Sequence, residues 1–332
     1  MSARAIGLTI LGASLLAACT QDSDAPAPAA TQAPAARTPA PAAAAAPAMT
    51  VPDRIVLARG GFIPEGIEYD TANHRFLTGS LAEGTIFGIR NDGRMMPVVQ
   101  DPALVSSVGI EVDEPRDRIL VANSDRAVFD GQGQGQAKLG VYSLTTGERI
   151  AMVDLGATLG GADDVYFAND VAVTADGRAF VTDTRMNVVY EVGTDFTPSV
   201  FYRFAPMEGL SLNGIVAHDD DYLIVVASST AGMLYKIPLA NPSAAAAVRL
   251  SEPATGADGI VWAADGNLAA ISNSGSNVLK YTSSDNWASA TVAARAGFEG
   301  QATTGAAVGD DIYVVQPHFN DAEPPVILKA AF

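Results

Sequence analysis

The sequence predicts an all-β chain that closes as a six-bladed β-propeller. Three observations carry that expectation: short apolar runs separated by Asp, Gly and Asn turns with almost no helical periodicity, a motif that recurs six times, and an N-terminal run resembling the outer strand of another copy. The six copies are Glu65-Gly-Ile-Glu-Tyr-Asp, Val108-Gly-Ile-Glu-Val-Asp, Asn169-Asp-Val-Ala-Val-Thr, Asn213-Gly-Ile-Val-Ala-His, Asp258-Gly-Ile-Val-Trp-Ala and Thr304-Gly-Ala-Ala-Val-Gly. Their starts lie 43, 61, 44, 45 and 46 residues apart, about the length of one four-stranded blade.

Taken in chain order, the first element is an export signal over residues 1–18. Arg4 precedes a 14-residue apolar run from Ala5 to Ala18, shorter than the roughly 20 residues that cross a bilayer. It ends in Leu16-Ala17-Ala18-Cys19, which resembles a bacterial lipobox, and Cys19 is the only cysteine in the chain. The expectation is a lipidated Cys19 that anchors the protein in the bacterial cell envelope, with Thr20 after it favouring the outer membrane, facing the periplasm. Residues 19–50 read as a tether: of the 31 residues from Thr20 to Thr50, 14 are Ala and 6 Pro, which leaves little to bury. Residues 51–332 are the propeller.

Within each copy the motif is the innermost strand. A polar turn follows, then a second strand, as in Phe76-Leu-Thr, Ile119-Leu-Val, Phe180-Val-Thr, Leu223-Ile-Val, Leu268-Ala-Ala and Ile312-Tyr-Val. A third strand comes next, as in Val188-Val-Tyr-Glu-Val and Met233-Leu-Tyr-Lys-Ile. The run Arg54-Ile-Val-Leu-Ala-Arg matches the outer strand beginning at Ala290, and the same Gly-Phe pair follows both. Residues 54–59 are therefore expected to supply the outer strand of the last blade, beside Val326 to Lys329, which removes a free sheet edge. The 61-residue interval contains Gly131-Gln-Gly-Gln-Gly-Gln and Gly160-Gly-Ala-Asp-Asp, read as long loops on blade two.

Composition excludes several function classes. A net charge of −17 from 20 Lys and Arg against 37 Asp and Glu repels a phosphate backbone, so no nucleic-acid partner is expected. One Cys and three His are too few for a zinc finger, a haem or an iron–sulfur cluster, so any metal must be oxygen-bound. No Ser nucleophile elbow, phosphate loop or dinucleotide fingerprint is present.

The first position of the motif holds Glu65, Val108, Asn169, Asn213, Asp258 and Thr304. At equivalent starts of innermost strands these side chains converge on the central channel. Glu65, Asn169, Asn213 and Asp258 then offer two carboxylates and two amide carbonyls, a set that suits calcium, with magnesium or manganese as alternatives and zinc a less fitting one. Second strands end beside the starts of the first, which places Ser80, Asn123, Ser124, Asp183, Ser229, Asn273 and His318 around the same mouth. Asn123, Asp183 and His318 are the candidate substrate contacts there, and His318 is a candidate proton shuttle.

Pro64-Glu65-Gly66, Asn169-Asp170-Val171 with Asp176-Gly177, Asn213-Gly214-Ile215, and Asp258-Gly259-Ile260 with Asp265-Gly266-Asn267-Leu268 resemble the motifs of the gluconolactonase and regucalcin (senescence marker protein) family over about residues 51–332. The related paraoxonases and diisopropylfluorophosphatase use a Glu, Asn, Asn, Asp calcium set, so the resemblance implies that role for Glu65, Asn169, Asn213 and Asp258. It also implies that Asn169 lies close to substrate. Paraoxonases carry a catalytic His where this chain has Val108, a departure from their mechanism. The leading expectation is a metal-dependent hydrolase of a small-molecule lactone or ester, with Asp258 or Glu65 as general base or, less in keeping with the site, as nucleophile. A non-enzymatic binding propeller with a structural cation and a phosphotriesterase are the alternatives.

Overall fold

The computed structural model describes residues 50–219, 221–319 and 323–332, so the expected signal, the Cys19 anchor and nearly all of the tether lie outside the described residues. Among the described residues six sheets are present, each built on four antiparallel strands, and two of them gain a fifth strand that pairs in parallel. The innermost strands are Ile67–Asp70, Ser106–Asp113, Tyr166–Val173, Ile215–His218, Ala257–Trp262 and Gly305–Val308. Among the described residues there is no α-helix, only four short 3-10 turns.

Each interval between adjacent blades holds its own apolar core. Leu77, Ile86, Ile110, Ile119 and Tyr142 fill the gap between blades one and two, and five further clusters repeat the arrangement round the ring. β-branched and aromatic residues alternate in the second and third strands, so each sheet can bury both faces against its neighbours. Tyr142, Tyr190 and Tyr281 recur on third strands, and each hydroxyl donates to an oxygen of Asp101, Asp183 or Glu252.

The ring closes as the sequence predicts. Arg54–Val56 pairs antiparallel with Val326–Lys329, Ile55 opposite Ile327, and becomes the outer strand of blade six. The paired run is shorter than the expected 54–59. Ile55 is buried with Phe62, Phe76, Tyr313 and Ile327, and the Tyr313 hydroxyl donates to the Val51 carbonyl at 3.1 Å. The long loop of blade two does more than extend that blade. Its Gly135–Gln136 segment pairs in parallel with Tyr166–Phe167 and adds a fifth strand to blade three. Blade four has the weakest outer strand, Ala246–Ala247, because the alanine run around it offers little to pack.

The motif's first two positions are where the fold departs from a regular ladder. In blades two, three and five the pairing of innermost and second strands slips there, between Ser107 and Ile110, Ala168 and Val171, and Ala257 and Ile260. These bulges release backbone groups towards the neighbouring blade. The amide of Gly66 donates to Val108 O at 3.0 Å, that of Gly214 to Asp258 O at 2.9 Å, and that of Gly259 to Thr303 O at 2.8 Å. Glycine is required because innermost strands nearly touch: a Cβ on Gly66 would sit 2.4 Å from the Val108 carbonyl oxygen. Blade three carries Asp170 where five blades carry Gly, and its carboxylate fills the same gap, accepting from the Ile215 amide at 3.0 Å.

Candidate functional site

The motif's first residues stand near the starts of the innermost strands, and the structure brings Glu65 and Asp258 within electrostatic reach of each other. Burial, then Asp258, then Asp170 hold the Glu65 carboxyl well above the ordinary glutamate range. Burial raises Asp258 to about 7, against the opposing hydrogen bonds of Asn213 and Asn273 and with a further push from Asp170. Asn273 Nδ2 lies 3.2 Å from Asp258 Oδ2. The Asn213 amide, at an expected metal position, is near enough to lower the Asp258 pKa by a side-chain hydrogen bond.

Asn169 is 6% exposed. Its Nδ2 donates to Thr184 Oγ1 at 2.9 Å, and that hydroxyl donates onward to the Leu212 carbonyl at 2.7 Å. The other amide atom, Asn169 Oδ1, is buried and has no hydrogen-bond partner. A buried carbonyl oxygen left without a donor is a cost that a cation offsets. Threonines also fix the backbone of two expected metal positions: Thr303 Oγ1 donates to Glu65 O at 2.7 Å and Thr182 Oγ1 to Asn213 O at 2.7 Å. Among the described residues no three His, Cys, Asp or Glu side chains gather as a metal cluster. The set of two carboxylates and two amides nonetheless has the hard-oxygen chemistry of a calcium or magnesium site.

Further along the channel lies a cavity of about 240 Å³ whose lining includes Glu68, Glu111 and Asp170. Burial and then Asp170 push Glu68 up to about 8, against a hydrogen bond from the Tyr69 amide. Burial, then Glu68, Asp170 and Asp113 hold Glu111 well above its ordinary range. Burial raises Asp170 to about 7, against hydrogen bonds from the Ile215 and Val171 amides. The sequence reading counted one position per innermost strand and missed these three. The signal was present: Glu68 and Glu111 stand three residues after the motif start in blades one and two, where the other four blades carry Ala or Val.

The rim residues divide. Asn123 is fully buried; its Oδ1 accepts from the Val105 amide and Gln136 Nε2, and its Nδ2 donates to Ala103 O. Asp183 is fully buried, accepting from the Phe167, Arg185 and Met186 amides and from the Tyr190 hydroxyl. Both therefore hold loops around the mouth, with their polar atoms engaged by the chain itself. Ser80 does the same for Ile63 and Ala82. His318 is half-buried in a left-handed turn, φ 54°.

No protein-family model and no curated protein matches the sequence. Solved structures do. The major allergen Mala s 1 of Malassezia sympodialis superposes with a TM-score of 0.70 at 18% identity, over 85% of this chain and 97% of the allergen. A gluconolactonase of Xanthomonas campestris matches with a TM-score of 0.59 at 17% identity, over 83% of this chain and 88% of its own. Virginiamycin B lyase of Staphylococcus aureus matches with a TM-score of 0.56 at 11% identity, over 84% and 98%. At these identities the likeness establishes the six-bladed propeller fold and includes, in the gluconolactonase, a member of the family that the motifs resemble.

Proposed function

We propose that the protein hydrolyses a small lactone or ester at the channel mouth, with a divalent cation, calcium foremost, held by Glu65, Asn169, Asn213 and Asp258. One observation carries the reading: the buried, unpartnered Oδ1 of Asn169 shares the mouth with two carboxylates whose pKa values are raised, a donor set that lacks its positive charge. The likeness in fold to a gluconolactonase supports it. When bound, such a cation would polarise the substrate carbonyl as a Lewis acid.

The chain's own residues supply the rest. Asp258 is held by the Asn273 amide at 3.2 Å, and its carboxylate is the group placed to accept the proton of an attacking water. That proton then passes to the leaving oxygen as the acyl bond breaks. Glu65, its pKa also raised by burial and by Asp258, is the second carboxylate of the pair. Thr184 fixes the Asn169 amide at the entrance.

The test is to measure metal bound by the purified protein and to screen lactones, aryl esters and phosphotriesters with and without chelator. Chelation, Asn213→Ala and Asp258→Ala are each expected to reduce turnover by about 10²-fold or more, and His318→Ala by far less. Full metal occupancy without turnover on the whole panel would favour a binding propeller. Chelator-insensitive activity lost in His318→Ala would overturn the assignment of roles.

A further inference from the structure

The mouth carries a cationic feature that this chemistry leaves unused. Arg185 follows Thr184, the residue that holds the Asn169 amide, and is exposed at the top of blade three. Most arginines among the described residues are paired: on the same face, Arg59 bonds Glu83 and Arg295 bonds Glu252 at 2.7 Å. Among the described residues Arg185 makes no ion pair. Its guanidinium instead lies 5.9 Å from the centre of the Phe129 ring.

Phe129 is 55% exposed and belongs to the short turn Arg126–Asp130 on the long loop of blade two. It stands edge-on to Phe167, with centroids 4.6 Å apart. Phe167 lies two residues before Asn169 on the same innermost strand. Arg185 is thus tied to the metal position from two sides, through Thr184 and through Phe129 and Phe167. Acidic neighbours do not claim it: Asp125 accepts from the Ala127 amide, and Asp164 from the Gly161 amide and the Tyr166 hydroxyl. Two more exposed apolar side chains, Met207 at 44% and Phe319 at 37%, stand on mouth loops of other blades.

We infer that Arg185, shelved on Phe129, is a specificity-determining residue that recognises an oxyanionic group, carboxylate or phosphate, on a substrate with an apolar body. A planar guanidinium presents two parallel N–H groups to such an anion, and stacking on an aromatic face holds that fork in place without spending its donors. The need for it follows from the site's charge. An anion approaching a channel lined by Glu65 and Asp258 is repelled by them, and a guanidinium at the entrance offsets that repulsion on the side where Asn169 stands. The inference rests on the hydrolase reading for its substrate but not for its anion recognition.

Three matched lactones test it, one bearing a side-chain carboxylate, one a phosphate and one a neutral carboxamide. The wild-type protein is expected to favour the charged members in kcat/KM by about tenfold, mainly through KM, and the stronger of the two charged members names the anion. Arg185→Ala should bring the charged-to-neutral ratio close to one. Arg185→Lys, which keeps charge but loses the planar fork, should restore only part of it, and Phe129→Ala should lower it several-fold. Arg90→Ala, on the opposite face, should leave the ratio as in wild type. A ratio near one in the wild type, or a preference that survives Arg185→Ala, overturns the inference while hydrolysis itself stands. If none of the three lactones turns over, the hydrolase reading fails, and calorimetric binding of the same compounds decides the inference. Tighter binding of the charged members that is lost in Arg185→Ala upholds it, and equal binding sinks it.

Discussion

Glu68 shows most directly what the channel does to a single side chain. Its folded pKa of about 8 stands above the ordinary 4.5 of an unfolded chain. Between those values the unfolded state releases the proton first, so this group's contribution falls as pH rises from about 4.5 to 8 and is fully lost above it. Partial access to channel water reduces the full linkage to about 2 kcal/mol, roughly 4 to 8 °C in Tm. Melting curves of the chelator-treated protein at pH 5 and pH 8 should show that decline, and Glu68→Gln should make it shallower, the other raised carboxylates keeping the rest. A wild-type Tm that rises with pH would refute the assignment. The positions of Glu65, Asn169, Asn213 and Asp258 were legible because each opens a repeat, and their hard-oxygen side chains are what the proposed metal role rests on. Glu68, Glu111 and Asp170 were harder to see, because an acidic residue within an innermost strand has meaning only once strands from several blades face one channel. Asn123 and Asp183 were placed at the correct end of their strands. Burial, which sequence position does not reveal, commits their atoms to loop backbone.

At the scale of the element, the start of the innermost strand, bulged in blades two, three and five, joins neighbouring blades. Gly66→Ala tests that coupling. The added Cβ would lie 2.4 Å from the Val108 carbonyl and 2.8 Å from the Ile110 amide, both backbone atoms with little freedom to move. The expected loss is about 2 kcal/mol or more, read by chemical denaturation, with weaker metal retention because Glu65 moves with its neighbour. An unchanged midpoint would mean that the blade one and blade two strands are not held at this spacing. Strand order within blades was legible from the alternation of turn residues and β-rich runs. The fifth strand that blade two lends to blade three was not: Gly-Gln repeats carry no β signal, and the Gly135–Gln136 pairing depends on where Tyr166–Phe167 happens to pass.

The propeller is held as a ring by its first and last strands. Ile55→Ala removes a buried side chain from the closing strand and should cost about 2 to 4 kcal/mol, measurable as a shift in denaturation midpoint. A loss as small as that of an exposed site would show that closure contributes little. Closure was legible because the N-terminal run repeats the pattern of a strand found far along the chain. For the residues before it, Cys19→Ser is expected to move the protein from the membrane fraction to the soluble one; retention in the membrane would reject lipid anchoring. The closing strand also sets the order of assembly. Ile55 meets its partner Ile327 only after nearly the whole chain has been made. Until then, blade six lacks its outer edge and the first strand has no ladder to join. Any folding of a chain that emerges from its N-terminus must therefore leave its earliest strand waiting for its last, and ring closure is the step at which local blade formation becomes one cooperative unit.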